Sequence, residues 1–316
     1  MPRRRPGFTL IELIAVLGII TVILSLLLPA LLRGTEAARR TQCTNNLKQI
    51  HLALQSYQAV NEAYPPGVVD GTRPIEGPPN GYRMSWAAML LPYSEQQAMY
   101  AAINFDHGST TAVNSTARLT TISMLLCPDS GVKDRGGWRA FSPSAAPQGA
   151  EIGMSCYVAV HNDAERPIDV DDRGSFYLNS RMRAADVFDG LSQTIFLGEV
   201  AAPAAEGWMV GGRATLRNTG SPINGVLLQA LGDAGRTEAW RESASTPTAL
   251  EEAITAGRIE PPGGYVGGMG SRHRGDGAVF AFGDGSVRFL RDSIDPAVYR
   301  ALGNRSDGEA IDEEAY

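Results

Sequence analysis

Phe8-Thr9-Leu10-Ile11-Glu12-Leu13-Ile14-Ala15-Val16-Leu17-Gly18-Ile19-Ile20, continued by an apolar run to Leu32, decides the fold. Between residues 8 and 32 the one ionisable side chain is Glu12. At the helical rise the segment is about 37 Å long, against about 30 Å of bilayer hydrocarbon. It is predicted to be a membrane-spanning helix. Arg3, Arg4 and Arg5 stand in front of it, separated by Pro6 and Gly7. A secretory signal carries its small residues beyond the apolar region, whereas here Gly7 precedes it. A cut after Gly7 removes the arginines and keeps the helix as a working part headed by Phe8. A carboxylate inside a membrane segment costs roughly 3 kcal/mol unless paired, which makes Glu12 a functional candidate. Its expected partner is the terminal amine of Phe8 on a neighbouring copy. The competing reading is that Glu12 snorkels to the headgroups.

Beyond Leu32 the helix changes character. Cys43, Leu47, Ile50, Leu54 and Tyr57 recur at spacings of four and three, one apolar face, while Asn45, Lys48, Gln49 and Gln55 lie mostly on the other side. This is an amphipathic helix expected to lie on a sheet and to stop by Tyr64-Pro65-Pro66-Gly67. A helix from Phe8 to about Asn61 would be roughly 80 Å long, loosened near Pro29, which removes one helical hydrogen bond.

The whole chain has 316 residues and a net charge of −6. Loss of the three leading arginines makes it more negative still, and no basic patch stands out beyond Arg39-Arg40, so nucleic acid is not an expected partner. Glycine (35) and proline (19) are frequent enough to predict many turns between short strands. Charge does not orient the helix, because Arg33, Arg39 and Arg40 behind it balance Arg3 to Arg5 in front.

Residues 68–82 read as a surface loop, and Trp86 to Asn104 as one or two short helices. Leu119 to Cys127 fits either a strand or a helix end. Asp129 to Met154 reads as a long excursion. Strands are expected at Ser155 to Val160, Thr194 to Val200 and Gly207 to Val210, and residues 211–275 as mostly irregular with a helix near Pro247 to Ala256. The clearest β signal is late: Ala278 to Phe282 and Ser286 to Leu290 flank Gly283-Asp284-Gly285, and Asp-Gly predicts a type I′ hairpin turn. Asp295 and Pro296 read as the cap and first residue of a last helix ended at Gly303.

Chemistry is mostly declined. His273 with Asp276 or Asp284, and Ser271 as nucleophile, lack a Gly-x-Ser-x-Gly elbow, and the Asp-Gly turn is explained by hairpin geometry, so no enzyme is expected. The four histidines and three cysteines show no paired zinc spacing, and Gly263 to Gly270 lacks the Lys-Ser/Thr of a phosphate loop. Asp163, Asp169, Asp171 and Asp172, with Glu165, suggest a calcium site. An EF-hand counted from Asp169 fails at its fifth position, Arg173, and its twelfth, Ser180. A looser calcium site and a solvated acidic loop both stay open.

The order of arginines, Gly7, Phe8 and Glu12 resembles the class III signal of type IV prepilins and type II secretion pseudopilins. The resemblance implies a membrane prepilin peptidase that cuts after Gly7 and methylates Phe8, and a Glu12 that guides assembly with other pilin-like subunits. The stretch Ala37-Ala38-Arg39-Arg40-Thr41-Gln42-Cys43-Thr44-Asn45-Asn46-Leu47-Lys48-Gln49-Ile50, followed by Tyr64-Pro65-Pro66-Gly67, is similar to the opening of the DUF1559 proteins, pilin-like proteins of Planctomycetes. Leu126-Cys127-Pro128, Asp186 to Gly190 and Gly198-Glu199 extend the match over almost the whole chain. In that family nine residues separate a His from the hairpin Asp-Gly; here ten, residues 274–283, separate His273 from Asp284-Gly285, which leaves the role of the His273, Asp284 and Gly285 motif open.

The resemblance implies an α+β, pilin-like fold: leader 1–7, transmembrane helix 8–32, amphipathic extension 33–62, and a head 63–316 with an antiparallel sheet. It implies a single pass through the inner membrane, the head in the periplasm, and exposure at the cell surface when assembled. The expected function is a structural pilus or pseudopilus subunit. The alternative is a membrane-tethered binding module, for example for polysaccharide, that does not polymerise. In such a compartment three cysteines suggest one bridge and one leftover thiol. Cys43 on the apolar stripe and Cys127 at the end of Leu125-Leu126-Cys127 are the expected pair, with Cys156 packed in a strand.

Overall fold

The computed structural model describes residues 10–76, 79–128, 153–200, 206–224, 265–271, 273, 277–309, 311–312 and 316. The cut site Gly7-Phe8, most of the excursion after Asp129 and the expected helix near Pro247 lie outside the described residues. So do the side chains of 24, 26–33 and 36.

One helix, α1 (Leu10–Asn61), runs 52 residues without a break, about 78 Å at the standard rise. Its halves differ in surroundings. Leu10, Ile14, Leu17 and Ile20 are 46 to 74% exposed, whereas Cys43, Leu47, Ile50 and Leu54 are fully buried. Among the described side chains, Cys43 is the first buried one along the helix. Among the described residues no helix is long and apolar enough to cross a membrane.

The head follows. The stretch expected to be surface loop, 68–82, begins with a strand, β1 (Val68–Val69), which pairs with β2 (Met84–Ser85) just beyond it. Val68 and Ile75 are buried there, so the proline-rich segment is tied into the core rather than solvated. Three short helices come next: α2 (Trp86–Leu90), α3 (Gln97–Ala101) and α4 (Ser115–Leu119). Ser85 caps α2 by accepting from the Ala88 backbone N–H. The ambiguous segment before Cys127 is neither strand nor α-helix but a 3-10 turn, Ser123–Leu125.

The main sheet contains β3 (Tyr157–Asn162), β4 (Ile195–Glu199), β5 (Leu216–Asn218), β6 (Gly277–Phe282) and β7 (Val287–Arg291), in the order β5-β3-β4-β6-β7. It is mixed rather than antiparallel, because β5 pairs parallel to β3. Gly207 to Val210 is not a strand; only Val210 bridges, to Met84. The turn between β6 and β7 also differs from type I′. Phe282 donates to the Ser286 carbonyl across a three-residue loop, and of its three residues only Gly285 has positive φ, +89°. One αL residue after a turn gives the bulged loop, which places Gly where a Cβ is least tolerated.

Both faces of the sheet are covered. Tyr157, Ala159, Val279 and Ala281 point to α1, and their neighbours Val158, Val160, Ala278 and Phe280 point to the last helix, α5 (Pro296–Gly303). This two-sided burial is why β3 reads as a continuous apolar run rather than an alternation. In β4 a register shift between Ile195 and Leu197 turns Phe196 and Leu197 to the same side. Asp295 caps α5 by accepting from the Ala297 N–H, ahead of Pro296.

α1 lies on β6, β7 and α2, and His51 is its buried contact with the hairpin: a Cβ on Gly285 would sit 3.0 Å from the imidazole. His51 is 2% exposed, and neither ring nitrogen has a hydrogen-bond partner. Burial lowers its pKa, against a smaller opposing pull from Asp284. The folded chain therefore resists protonating His51 while the unfolded chain does not. This penalty is absent above the unfolded value of about 6.5 and grows as pH falls from there toward the lowered folded value. Urea midpoints at pH 7.5 and 5.5 should show a loss of stability on acidification that His51→Gln reduces; an identical pH dependence in that variant would place the titration elsewhere.

Candidate functional site

The junction between α1 and the head is built around sulfur. Cys43, on the buried face of α1, and Cys127, just after the 3-10 turn, form a disulfide with their Cα atoms 5.3 Å apart. The amide of Asn46, one helical turn on, donates to the Leu126 carbonyl at 2.9 Å and to the Tyr157 hydroxyl at 3.2 Å. Burial raises the Tyr157 phenol far above its ordinary pKa, so it stays a neutral donor and acceptor. Cys156, fully buried, precedes β3, and its N–H donates to the Leu125 carbonyl.

Two further groups meet the disulfide from the sheet side. His273 Nε2 lies 3.7 Å from Cys127 Sγ and 3.3 Å from Glu199 Oε1. The other oxygen of Glu199 accepts from the Val279 N–H at 3.0 Å. Glu199 closes β4, and Val279 is in β6, so the carboxylate is held by the neighbouring strand. Ser271 steers the segment before β6: its hydroxyl accepts from the His273 N–H and donates to the Gly277 carbonyl. Ser271 thus ties the His273 backbone to the first residue of β6. Glu199 is the residue that spacing and composition missed as a site. Besides its place in the Gly198-Glu199 family match, its signal was a carboxylate directly after Ile195-Phe196-Leu197-Gly198, where an unpartnered charge would be costly to bury.

The hairpin residues are not beside His273 in role. Asp284 Oδ1 accepts from the Ser286 N–H, and Gly285 faces His51. The motif therefore divides into a histidine at the disulfide and a turn under α1.

The acidic loop is engaged by cations and amides. Asp163 meets Arg173 and Asn304, Asp169 meets Arg73, and Asp171 meets Arg166. The exposed Asp171 is held below its usual pKa chiefly by the hydrogen bond from Arg166. Asp172 is buried at 2.7 Å from His161 Nδ1 and also accepts from Asn162 and the Asp169 N–H. Glu165 turns inward and accepts from the N–H groups of Val266 and Gly267 and from Asn218 and Ser221. Among the described residues one group of ligand-type side chains brings its donor atoms together, and it is Cys43, Cys127, Glu199 and His273, not the aspartates. Glu12 stands exposed in the first turn of α1.

Residues 33–297 match the family described as "Protein of unknown function (DUF1559)". The chain belongs to that family. Residues 2–28 match the prokaryotic N-terminal methylation motif. Among curated proteins this DUF1559 chain is similar to the type IV major pilin protein PilA of Myxococcus xanthus (strain DK1622), 33% identical over 88 residues, which is 28% of this chain and 40% of PilA. It is also similar to type II secretion system core protein G of Dickeya chrysanthemi, 34% identical over 65 residues, 21% of this chain and 42% of that protein. The chain thus spans about two-fifths of the length of these curated relatives. No solved structure matches it significantly.

Proposed function

We propose that this chain is a non-enzymatic structural subunit of a type IV pilus-like or pseudopilus-like assembly. A prepilin peptidase cuts it between Gly7 and Phe8. Residues 8–32 then hold it in the inner membrane as a single pass, with the head in the periplasm, and the same segment packs against other pilin-like subunits as they assemble. The observation that carries this reading is the contrast along α1. Large apolar side chains from Leu10 to Ile23 stay exposed, while the second half is bonded covalently to a folded head. An apolar rod of that size is stable only inside lipid or against other such helices. The methylation motif over residues 2–28 supports the processing step, and Glu12 offers a charge for a neighbour's Phe8 amine at the end of that rod.

Processing and assembly are separable. Mass spectrometry of the envelope fraction should find a mature chain beginning with methylated Phe8, and Gly7→Arg should leave the leader uncut. Glu12→Leu should be cut normally and yet be missing from sheared surface fibres or cross-linked periplasmic oligomers. An intact Met1 or Pro2 terminus on the wild-type chain would refute processing, and normal assembly of Glu12→Leu would refute the pairing. A processed chain found solely as an envelope-bound monomer would replace assembly with the tethered binding module.

A further inference from the structure

Cys43, Cys127, Glu199 and His273 are arranged like a ligand set. One donor atom of each lies within 4.8 Å of every other, and all four residues are buried. They arrive from four places: the shaft helix, the segment after the 3-10 turn, the end of β4 and the approach to β6. Two of the spacings, though short enough for hydrogen bonds, also match a metal cage. A charge-assisted bond between imidazole and carboxylate closes to about 2.8 Å, and this chain makes one of 2.7 Å between His161 and Asp172. His273 Nε2 and Glu199 Oε1 instead stand at 3.3 Å. On a tetrahedral zinc ion, nitrogen and oxygen ligands are separated by about 3.3 Å, and sulfur and nitrogen by about 3.6 Å. Cys127 Sγ and His273 Nε2 stand at 3.7 Å. Both contacts have the length of a tetrahedron's edge.

We propose that the chain, once its disulfide is reduced, binds one zinc ion through Cys43 Sγ, Cys127 Sγ, Glu199 Oε1 and His273 Nε2. Disulfide and metal are then alternative occupants of one site. A thiol or phosphine reductant supplies two electrons, and with two protons the S–S bond becomes two thiols. Zinc displaces those two protons and remains divalent, so the charge of the pocket is the same with a disulfide as with two thiolates and Zn2+. Reoxidation by an added small-molecule disulfide, which takes up the two electrons and leaves as two thiols, restores the S–S bond, removes two of the four ligands and expels the ion. The outer contacts suit the role. The Val279 N–H holds the second oxygen of Glu199, as second partners do in metal sites, and Ser271 fixes the His273 backbone. Two thiolates with an imidazole and a carboxylate favour zinc over magnesium or calcium.

The test uses the full chain in detergent, reduced with a phosphine under anaerobic conditions and titrated with zinc or cobalt(II). Zinc should bind at one equivalent per reduced chain and not to the oxidised chain. Cobalt should give thiolate-to-metal charge transfer in the near ultraviolet and intense tetrahedral bands in the visible. His273→Gln and Glu199→Gln should each weaken zinc by more than the roughly 10- to 100-fold that loss of an outer partner costs, and Cys156→Ser should leave affinity unchanged. If reduction without metal unfolds the head, one equivalent of zinc should restore its circular dichroism. Absence of the cobalt–thiolate band in the wild-type reduced chain, or equal affinity for oxidised and reduced chains, would overturn the proposal. So would loss of binding in Cys156→Ser.

Discussion

In chelator-containing buffer, Cys43→Ala is expected to destabilise the head by roughly 4 to 5 kcal/mol. The bridge joins residues separated by 84 positions, and closing a loop of that length removes about that much chain entropy from the unfolded state. At a denaturant slope near 3 kcal/mol/M the urea midpoint should fall by about 1.5 M. The native state loses little else, because Asn46 still anchors the helix to Leu126 and Tyr157. Cys127→Ala should give the same loss, and the double variant no more than either alone, since both remove one bond. Cys156→Ala, a buried but smaller change, should cost about 1 kcal/mol. A shift below about 1 kcal/mol in Cys43→Ala would mean that the unfolded chain is already restrained without the bridge.

Asp172→Ala should cost about 3 to 5 kcal/mol. The carboxylate is completely buried. It accepts from Asn162 at 2.9 Å and from the Asp169 N–H at 3.0 Å, it lies 2.7 Å from His161 Nδ1, and Arg166 Nε approaches to 3.4 Å. Removing it strands the buried donors of Asn162, His161 and the Asp169 amide at once, while the part-exposed Arg166 keeps Asp171. The Asp172 carbonyl also takes a bond from Arg305, which ties the segment after α5 to the same loop. Asp172→Asn keeps an oxygen for some of these donors and should lose less. Equal stability of wild type and Asp172→Ala in urea would contradict the hub role. The same measurement with calcium added tests whether any carboxylate in this loop binds an ion that the geometry of Asp163, Asp169 and Asp171 does not suggest.

The long helix and the last hairpin were legible because each rests on one strong local rule. The stripe from Cys43 to Leu54 is a 3.6-residue period against a single apolar surface, and every member of it is buried. The pairing of β6 with β7 follows from two short apolar runs around an Asp-Gly turn. The turn type was misread because Asp-Gly suits more than one loop, and the choice depends on what lies beneath Gly285. Strand β5 was invisible: Leu216-Arg217-Asn218 is short, two of its three side chains are polar, and its partner is parallel and remote in sequence. Gly207 to Val210 had the composition of a strand, but Trp208 and Met209 are core fillers and the segment bridges only at Val210. The sulfur site was least legible. Its members lie at positions 43, 127, 199 and 273, and no spacing rule joins residues that only the sheet brings together.

The position of the bridge has a mechanical consequence. An amphipathic helix held to a sheet by side-chain contacts alone can be peeled from its free end, one contact breaking after another under a small force. Here the covalent link is at Cys43, just after Arg40, which lies over the Phe289 ring of the head, and ahead of the buried stripe of Leu47, Ile50 and Leu54. Tension applied through residues 10–42 reaches the S–S bond before it reaches Leu47, Ile50 or Leu54. The load then passes into the segment around Cys127 and must shear the head as a block, so the joint should resist pulling more strongly along the helix than its packing area alone would allow.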